Sequence, residues 1–405
     1  CGVGSRSISI RNAVIAAGIC EFIGAALVGS HVTETVRRGI VSPEALASLD
    51  GAEGAALFAL GMACALLAAA LWLNLATWVG MPVSTPHSIV GAVAGFGVVA
   101  AGWSAVDWGK MGQIVASWFI SPIAGGIMAF VFFKLILHFI LGHDRPIPAA
   151  RKLTPLIVFV TVVVVTLATL YKGLKHILAD ADWLSGQVAV LISVGAGVAV
   201  AAVGKVFIDR FLRGDGLLPL REQLERVERL FAPLVVATSC CVAFAHGAND
   251  VANAVGPLAA VVQVIREGVV AGEVPVPFWV LALGGAGITA GLAMFGYRVM
   301  RTVGEKITQI TPSRGVAANL AATTTVLACS KLGLPVSTTH TLVGAILGVG
   351  LARGLGAVNR QVTRNIFGSW LITVPAAAGL SVVLFILARV FLLDLVVQAV
   401  EACPA

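Results

Sequence analysis

Apolar residues in this chain come in long continuous runs, without the strict alternation of half-buried strands. Eleven runs predict helices, at about 12–30, 55–79, 82–103, 113–142, 154–171, 187–204, 231–265, 278–297, 315–332, 335–352 and 365–395. Roughly 20 apolar residues suffice to span a bilayer core, so the pattern predicts an all-α polytopic membrane protein. It excludes an outer-membrane barrel, whose strands alternate over about ten residues. Several runs do not fit a simple helix. The run 231–265 is overlong and is interrupted by His246-Gly247-Ala248-Asn249-Asp250, where glycine and a cluster of Asn and Asp predict local unwinding. The runs 113–142 and 365–395 are also overlong, and each contains a proline, Pro122 or Pro375. Those opening at Pro82 and Pro335 set polar residues directly against an apolar helix. Breaks of this kind are tolerated in lipid only where the freed backbone is buried in protein or lines a cavity.

Composition sharpens the exclusion. Of 405 residues, 58% are hydrophobic and only 12% charged, and the mean hydropathy is +0.97. A soluble domain carries roughly a quarter charged residues, so these charges cannot cover a water-facing surface. A soluble enzyme, a nucleic-acid binder and a disordered protein are excluded. The net charge of +7 reads as loop charge that orients a membrane protein. The seven cysteines lie mostly inside apolar runs without a CxxC pair, which predicts small packing residues, with no metal or redox cluster and no cofactor. No signal peptide is visible, and the chain opens without Met, so a start upstream of Cys1 is expected.

The chain repeats itself. Residues 82–97 read PVSTPHSIVGAVAGFG and residues 335–350 read PVSTTHTLVGAILGVG, identical at ten of 16 positions. Ser117-Trp118 followed by Pro122 is echoed by Ser369-Trp370 followed by Pro375, and Gly24, Val32, Thr35 and Val36 match Gly291, Val299, Thr302 and Val303. Three echoes in the same order mark an internal duplication. If every run crosses once, all the net-basic loops, including 143–153, 298–314 and 353–364, fall on one side, taken as cytoplasmic. Matched loops of the two halves then lie on opposite sides, as in inverted repeats. The expected division is 1–142 as first repeat, 143–204 as connecting helices, 205–230 as a solvated, partly helical cytoplasmic linker, and 231–405 as second repeat.

The strongest chemical signal is the doubled Pro-Val-Ser-Thr-x-His, at Ser84-Thr85-Pro86-His87 and Ser337-Thr338-Thr339-His340. Proline suits a first helical turn, and Ser and Thr cap helix N-termini, which present free N–H groups and a positive dipole end. Two such termini facing each other form an anion site without Arg or Lys; the alternative is a pair of capped helices beginning at membrane depth. The second signal is His246 to Asn253. Asp250 is the only acid between Glu228 and Glu267, and an ionisable residue in mid-span is a functional candidate. Asn249 and Asn253, four apart, share a face in a helix. Glu21 also sits mid-span, as a cation or proton site or as a structural acid. His87, His340 and His246 hydrogen-bond locally in this reading and lack zinc-ligand spacing.

GANDVANAVGP at 247–257, the two PVST-x-H copies and the duplicated layout resemble the PiT family of inorganic phosphate transporters over essentially the whole chain. The resemblance implies a symporter of about twelve helices, eleven of them visible here, with inverted repeats, re-entrant hairpins and broken helices. It would be a multi-pass protein of the cell (inner) membrane, not an enzyme, and a homo-oligomer, often a dimer. It would move inorganic phosphate with Na⁺, or with H⁺ or as a metal–phosphate complex in some branches. Carried over by position, Ser84, Thr85, Ser337, Thr338 and Thr339 would hold phosphate. Asn249, Asp250 and Asn253 would serve the cation and phosphate sites, and Glu21 matches an acid linked to transport. A GAND-type motif stands in each half of the family, and the first would lie just before Cys1. Asn319 stands where relatives commonly have Glu, and Pro86 where they have Thr. The expected mechanism is Na⁺-coupled uptake by alternating access. The rivals are proton coupling, sulfate as substrate, a channel, and an intramembrane hydrolase built on Ser84/His87 and Ser337/His340. Two symmetric copies without an oxyanion motif argue against the hydrolase.

Overall fold

The computed structural model describes residues 1–29, 51–170, 186–214, 218–268, 276–331 and 336–402. Among them are eleven helices and no strand. They are α1 (Ile10–Val28), α2 (Gly51–Val79), α3 (Thr85–Ala101), α4 (Trp108–Ile136), α5 (Pro146–Thr169) and α6 (Gly186–Phe211). After these come α7 (Leu220–Glu267), α8 (Phe278–Gly291), α9 (Pro312–Lys331), α10 (Thr338–Leu351) and α11 (Arg360–Glu401). Helix α8 runs on to Lys306 through π-helical turns at Leu292–Gly296 and Thr302–Lys306.

Eight of these helices are long and apolar enough to cross a membrane. The others are α9, which carries Ser313, Arg314, Asn319 and three threonines at 323–325, and the apolar α3 and α10, of 17 and 14 residues. At 1.5 Å per residue these two measure about 26 and 21 Å, short of a hydrocarbon core of about 30 Å.

Two expectations are corrected. The stretch 246–250 does not unwind: α7 is one unbroken helix of 48 residues, with Pro233 and Pro257 inside it. Glycine here serves contact between helices. A methyl group on Gly247 would lie 2.2 Å from the Glu21 carbonyl oxygen of α1. Likewise α4 and α11 carry Pro122 and Pro375 without breaking. In the segment 205–230, most residues extend α6 or begin α7, and Asp209 ties α6 to α5 through Arg151 at 3.1 Å. The basic segment 298–314 is likewise mostly helical, with only 307–311 between α8 and α9.

Packing is organised around the two short helices. Helix α3 lies along α2 and α11, and α10 along α9 and α4. Each therefore packs on a long helix from the other half of the chain. The contacts match position by position: Gly91 and Gly95 of α3 meet the Val374 and Ala378 carbonyls, and Gly344 and Gly348 of α10 meet those of Pro122 and Gly126. Two buried clusters flank these crossings. One, around α4, α9 and α10, includes Phe133, Phe231 and Ile346. The other, around α2, α3 and α11, includes Phe58, Phe96 and Phe385. A methyl on Gly344 would stand 2.2 Å from the Pro122 carbonyl oxygen, whereas one on Gly368 meets nothing within 4 Å. Gly344→Ala should therefore cost about 1–3 kcal/mol. Gly368→Ala, inside α11, should be neutral or stabilising, since alanine is the better helix former. Melting temperatures of the two purified variants check the contrast.

Candidate functional site

The site is built where α1 crosses α7. Because α7 stays helical, His246 and Asp250, four residues apart, share a face. Gly24 and Gly247 let the two backbones close to contact, a methyl on Gly24 falling 2.2 Å from the Phe244 carbonyl oxygen. This brings Glu21 against α7, where both it and Asp250 are buried. The His246 ring bridges them, with Nδ1 3.1 Å from Glu21 Oε1 and Nε2 3.0 Å from Asp250 Oδ2.

Each ring nitrogen donates or accepts according to tautomer and charge, so a single imidazole links the two buried acids of α1 and α7.

Asp250 gathers further donors. The Asn249 amide donates to Oδ1 at 3.0 Å, and the Thr338 hydroxyl lies 3.3 Å from both oxygens. A buried carboxylate persists only when it is paired and hydrogen-bonded in this way. Thr338 is the first residue of α10, so this contact joins the Asn-Asp motif to the second doubled motif.

The two copies of that motif are built alike. Ser84 and Ser337 are N-caps whose hydroxyl oxygens accept the backbone N–H of His87 and His340, at 3.4 and 3.2 Å. The first-turn proline of α3 is Pro86, not Pro82, which precedes the helix; Pro335 lies outside the described residues. The two tips meet, with the His87 and His340 ring centroids 4.2 Å apart.

A cavity of about 330 Å³ opens beside the trio, lined by Glu21, His246, Ser239, Asn319, Thr338 and Thr339 among others. The structure thus brings Glu21, Asp250, Asn249, Thr338 and Thr339 together. Asn253 is buried one turn further along α7. Ser84 and Thr85 stand on the first tip, outside the cavity lining, with Ser84 fully buried in its cap. Two features escaped the sequence reading. His246 is a bridge between two carboxylates, not a local hydrogen-bonding residue; its four-residue spacing from Asp250 was the available signal. Asn319 donates to Thr238 Oγ1 at 3.1 Å and Ser239 Oγ at 2.9 Å, a network with no signature in the sequence.

Comparison with known proteins sets this geometry in context. Residues 1–381 match the pattern described as the phosphate transporter family. A Thermococcus kodakarensis protein named as a candidate phosphate permease is 44% identical over 95% of this chain and 90% of its own. The chloroplastic inorganic phosphate transporter 2-1 of Arabidopsis thaliana is 41% identical over 94% of this chain and 66% of its own. A solved structure titled the sodium-dependent phosphate transporter is 40% identical and superposes with a TM-score of 0.84, over 96% of this chain and 93% of that one.

Proposed function

Since this chain belongs to the phosphate transporter family, we propose that it takes up inorganic phosphate by alternating access, coupled to Na⁺. The observation that carries the reading is the junction of Asp250 with Thr338. It places a carboxylate from a membrane-spanning helix at the N-terminus of a short helix, where free N–H groups favour an anion. The meeting of the second tip, at His87 and His340, adds a further N-terminus. In this reading Thr338 and Thr339, with Ser337 and with Ser84 and Thr85 of the opposite tip, hold phosphate. Asn249, Asp250 and Asn253 serve the cation, with Glu21 behind them. Na⁺ beside Asp250 lowers the cost of a multiply charged anion in a low-dielectric site. A carboxylate facing the anion favours a protonated phosphate oxygen, which sulfate lacks at neutral pH, so hydrogen-bond donation sets specificity. The sodium-dependent relative at 40% identity supports Na⁺ as the ion. The matched glycine crossings of α3 and α10 support two repeats rocking about one site, inverted as in other secondary transporters. The excess of basic residues in 143–153, 298–314 and 353–364 supports a cytoplasmic side for 205–230 at the cell membrane. The resemblance argues for a homodimer.

Proton coupling is the second reading, favoured by the contact of two buried acids with one imidazole in the Glu21–His246–Asp250 trio. Proteoliposomes loaded at fixed pH, then given a Na⁺ gradient or a H⁺ gradient alone, separate the two. The Na⁺ gradient is expected to drive labelled phosphate inward and the H⁺ gradient is not. Glu21→Gln, which removes one carboxylate from the trio, should lower uptake while keeping its Na⁺ requirement. Uptake driven by the H⁺ gradient alone, and lost in Glu21→Gln, would establish proton coupling instead.

A further inference from the structure

Four aromatic rings stand in a column at the place where the two short helices meet. Trp118 of α4 lies against His87 of α3 with centroids 3.4 Å apart and the rings tilted by 31°, and Trp370 of α11 stacks on His340 of α10 at 3.6 Å. The two imidazoles meet edge to face at 4.2 Å, an arrangement that aromatic pairs favour. His87, His340 and Trp370 are almost fully buried, at 2%, 1% and 7% exposure. The column is tied to both tips. The backbone N–H of each histidine caps on Ser84 or Ser337, and the Trp370 indole N–H donates to the Pro82 carbonyl at 2.9 Å. Trp370 therefore stacks on one tip and hydrogen-bonds the other. Both nitrogens of His87 are buried without a hydrogen-bond partner among the described residues, so this ring contributes shape and not polar contact.

We propose that the column Trp118–His87–His340–Trp370 is a positioning device that fixes the spacing of the two helix tips, so that both close on one anion together. His87 and His340 are positioning residues: they act through Ser84, Thr85, Thr338 and Thr339. The physical reason is preorganisation. Two half-sites on separate helices bind one small ion tightly only if their separation is set before the ion arrives. A column of rings in contact, shared by four helices, sets it, and flat rings of any chemistry would serve. The proposal rests on the phosphate reading for its substrate, but the spacing it asserts does not.

The test uses His87→Ala, His340→Ala, the double alanine variant and the double variant His87→Phe/His340→Phe. Two readouts are taken. The first is the KM and Vmax for phosphate in proteoliposomes. The second is the spin-label distance between Val99→Cys at the end of α3 and Leu351→Cys at the end of α10, both exposed, in a background without the native cysteines. Each single alanine is expected to raise KM about tenfold while Vmax changes less than about threefold, a loss of binding and not of turnover. The double alanine variant should be no worse than either single, because both break the same column. The phenylalanine pair should keep KM within about threefold of the parent. The distance distribution should broaden with alanine and stay narrow with phenylalanine. His→Leu, which fills the space without a flat ring, replaces any alanine variant that fails to fold, with the same expectation. The proposal is overturned if the alanine variants leave KM and the distances unchanged, if their effects add, or if the phenylalanine pair is as impaired as alanine. Should the parent show no saturable phosphate uptake, the phosphate reading fails, and the distance distributions alone decide the column.

Discussion

Asp250→Asn will fold and insert as the parent does, yet its Na⁺-driven phosphate uptake will fall at least about 100-fold. The substitution keeps size and shape and removes one charge. Asp250 accepts from His246, Asn249 and Thr338, and hydrogen bonds to a charged group contribute about 1.5–3 kcal/mol each. Weakening two of them accounts for a factor of about 100, and the loss of a cation ligand adds to it. The neutral amide also presents an NH₂ group to one of these donors, so at least one bond turns repulsive. As a control, Asp107→Asn changes an exposed cap at the start of α4 and should alter uptake less than about twofold. Radiolabelled uptake normalised to reconstituted protein measures both.

The largest effect on stability is expected from Gly247→Val. Any β-carbon there meets the Glu21 backbone at 2.2–2.7 Å, and no rotamer moves a Cβ away from main chain. The helices must separate, which also pulls Glu21 away from His246. Overpacking in a tight core costs about 1–3 kcal/mol and sometimes more; because the opposing atoms are Glu21 main chain, a loss of at least about 3 kcal/mol is expected. Gly287→Val, where a β-carbon meets nothing within 4 Å, is the matched comparison. Thermal unfolding followed by size-exclusion chromatography in detergent should show early loss of the monodisperse peak for Gly247→Val alone. Equal melting of the two variants would contradict the close-approach role of Gly247.

Much of this architecture is legible in the chain because lipid imposes one rule, that backbone polar groups be satisfied within the segment. Continuous apolar runs then mark helices, and the doubled Ser-Thr-x-His mark lies at the starts of α3 and α10. What the sequence misstates is the behaviour of glycine. Gly247 beside Asn249 and Asp250 reads as a place to unwind, but its role is set by Glu21, more than two hundred residues away in the chain. No local pattern separates a hinge from a close contact. The proline-bearing runs fail for the same reason, since neighbours decide whether Pro122 and Pro375 break a helix. Of the candidate residues, Glu21, Asp250 and Thr338 could be singled out because a buried acid or a helix cap is conspicuous in an apolar run. His246 is not conspicuous in the sequence because its meaning depends on having a carboxylate on each side of the ring, and only the α1–α7 crossing supplies Glu21. The ring column escapes the sequence entirely, being assembled from four helices.

The central claim is that phosphate is the cargo and that it is held at the Asp250–Thr338 junction. Competition during uptake tests it most directly. Proteoliposomes under a Na⁺ gradient take up labelled phosphate at its KM, with and without a tenfold excess of sulfate, for the parent and for Thr338→Val. The account predicts saturable uptake that sulfate leaves within about 20%, and a KM raised about tenfold or more in Thr338→Val, whose methyl replaces the hydroxyl at Asp250. Equal competition by sulfate, or an unchanged KM in Thr338→Val, would contradict it.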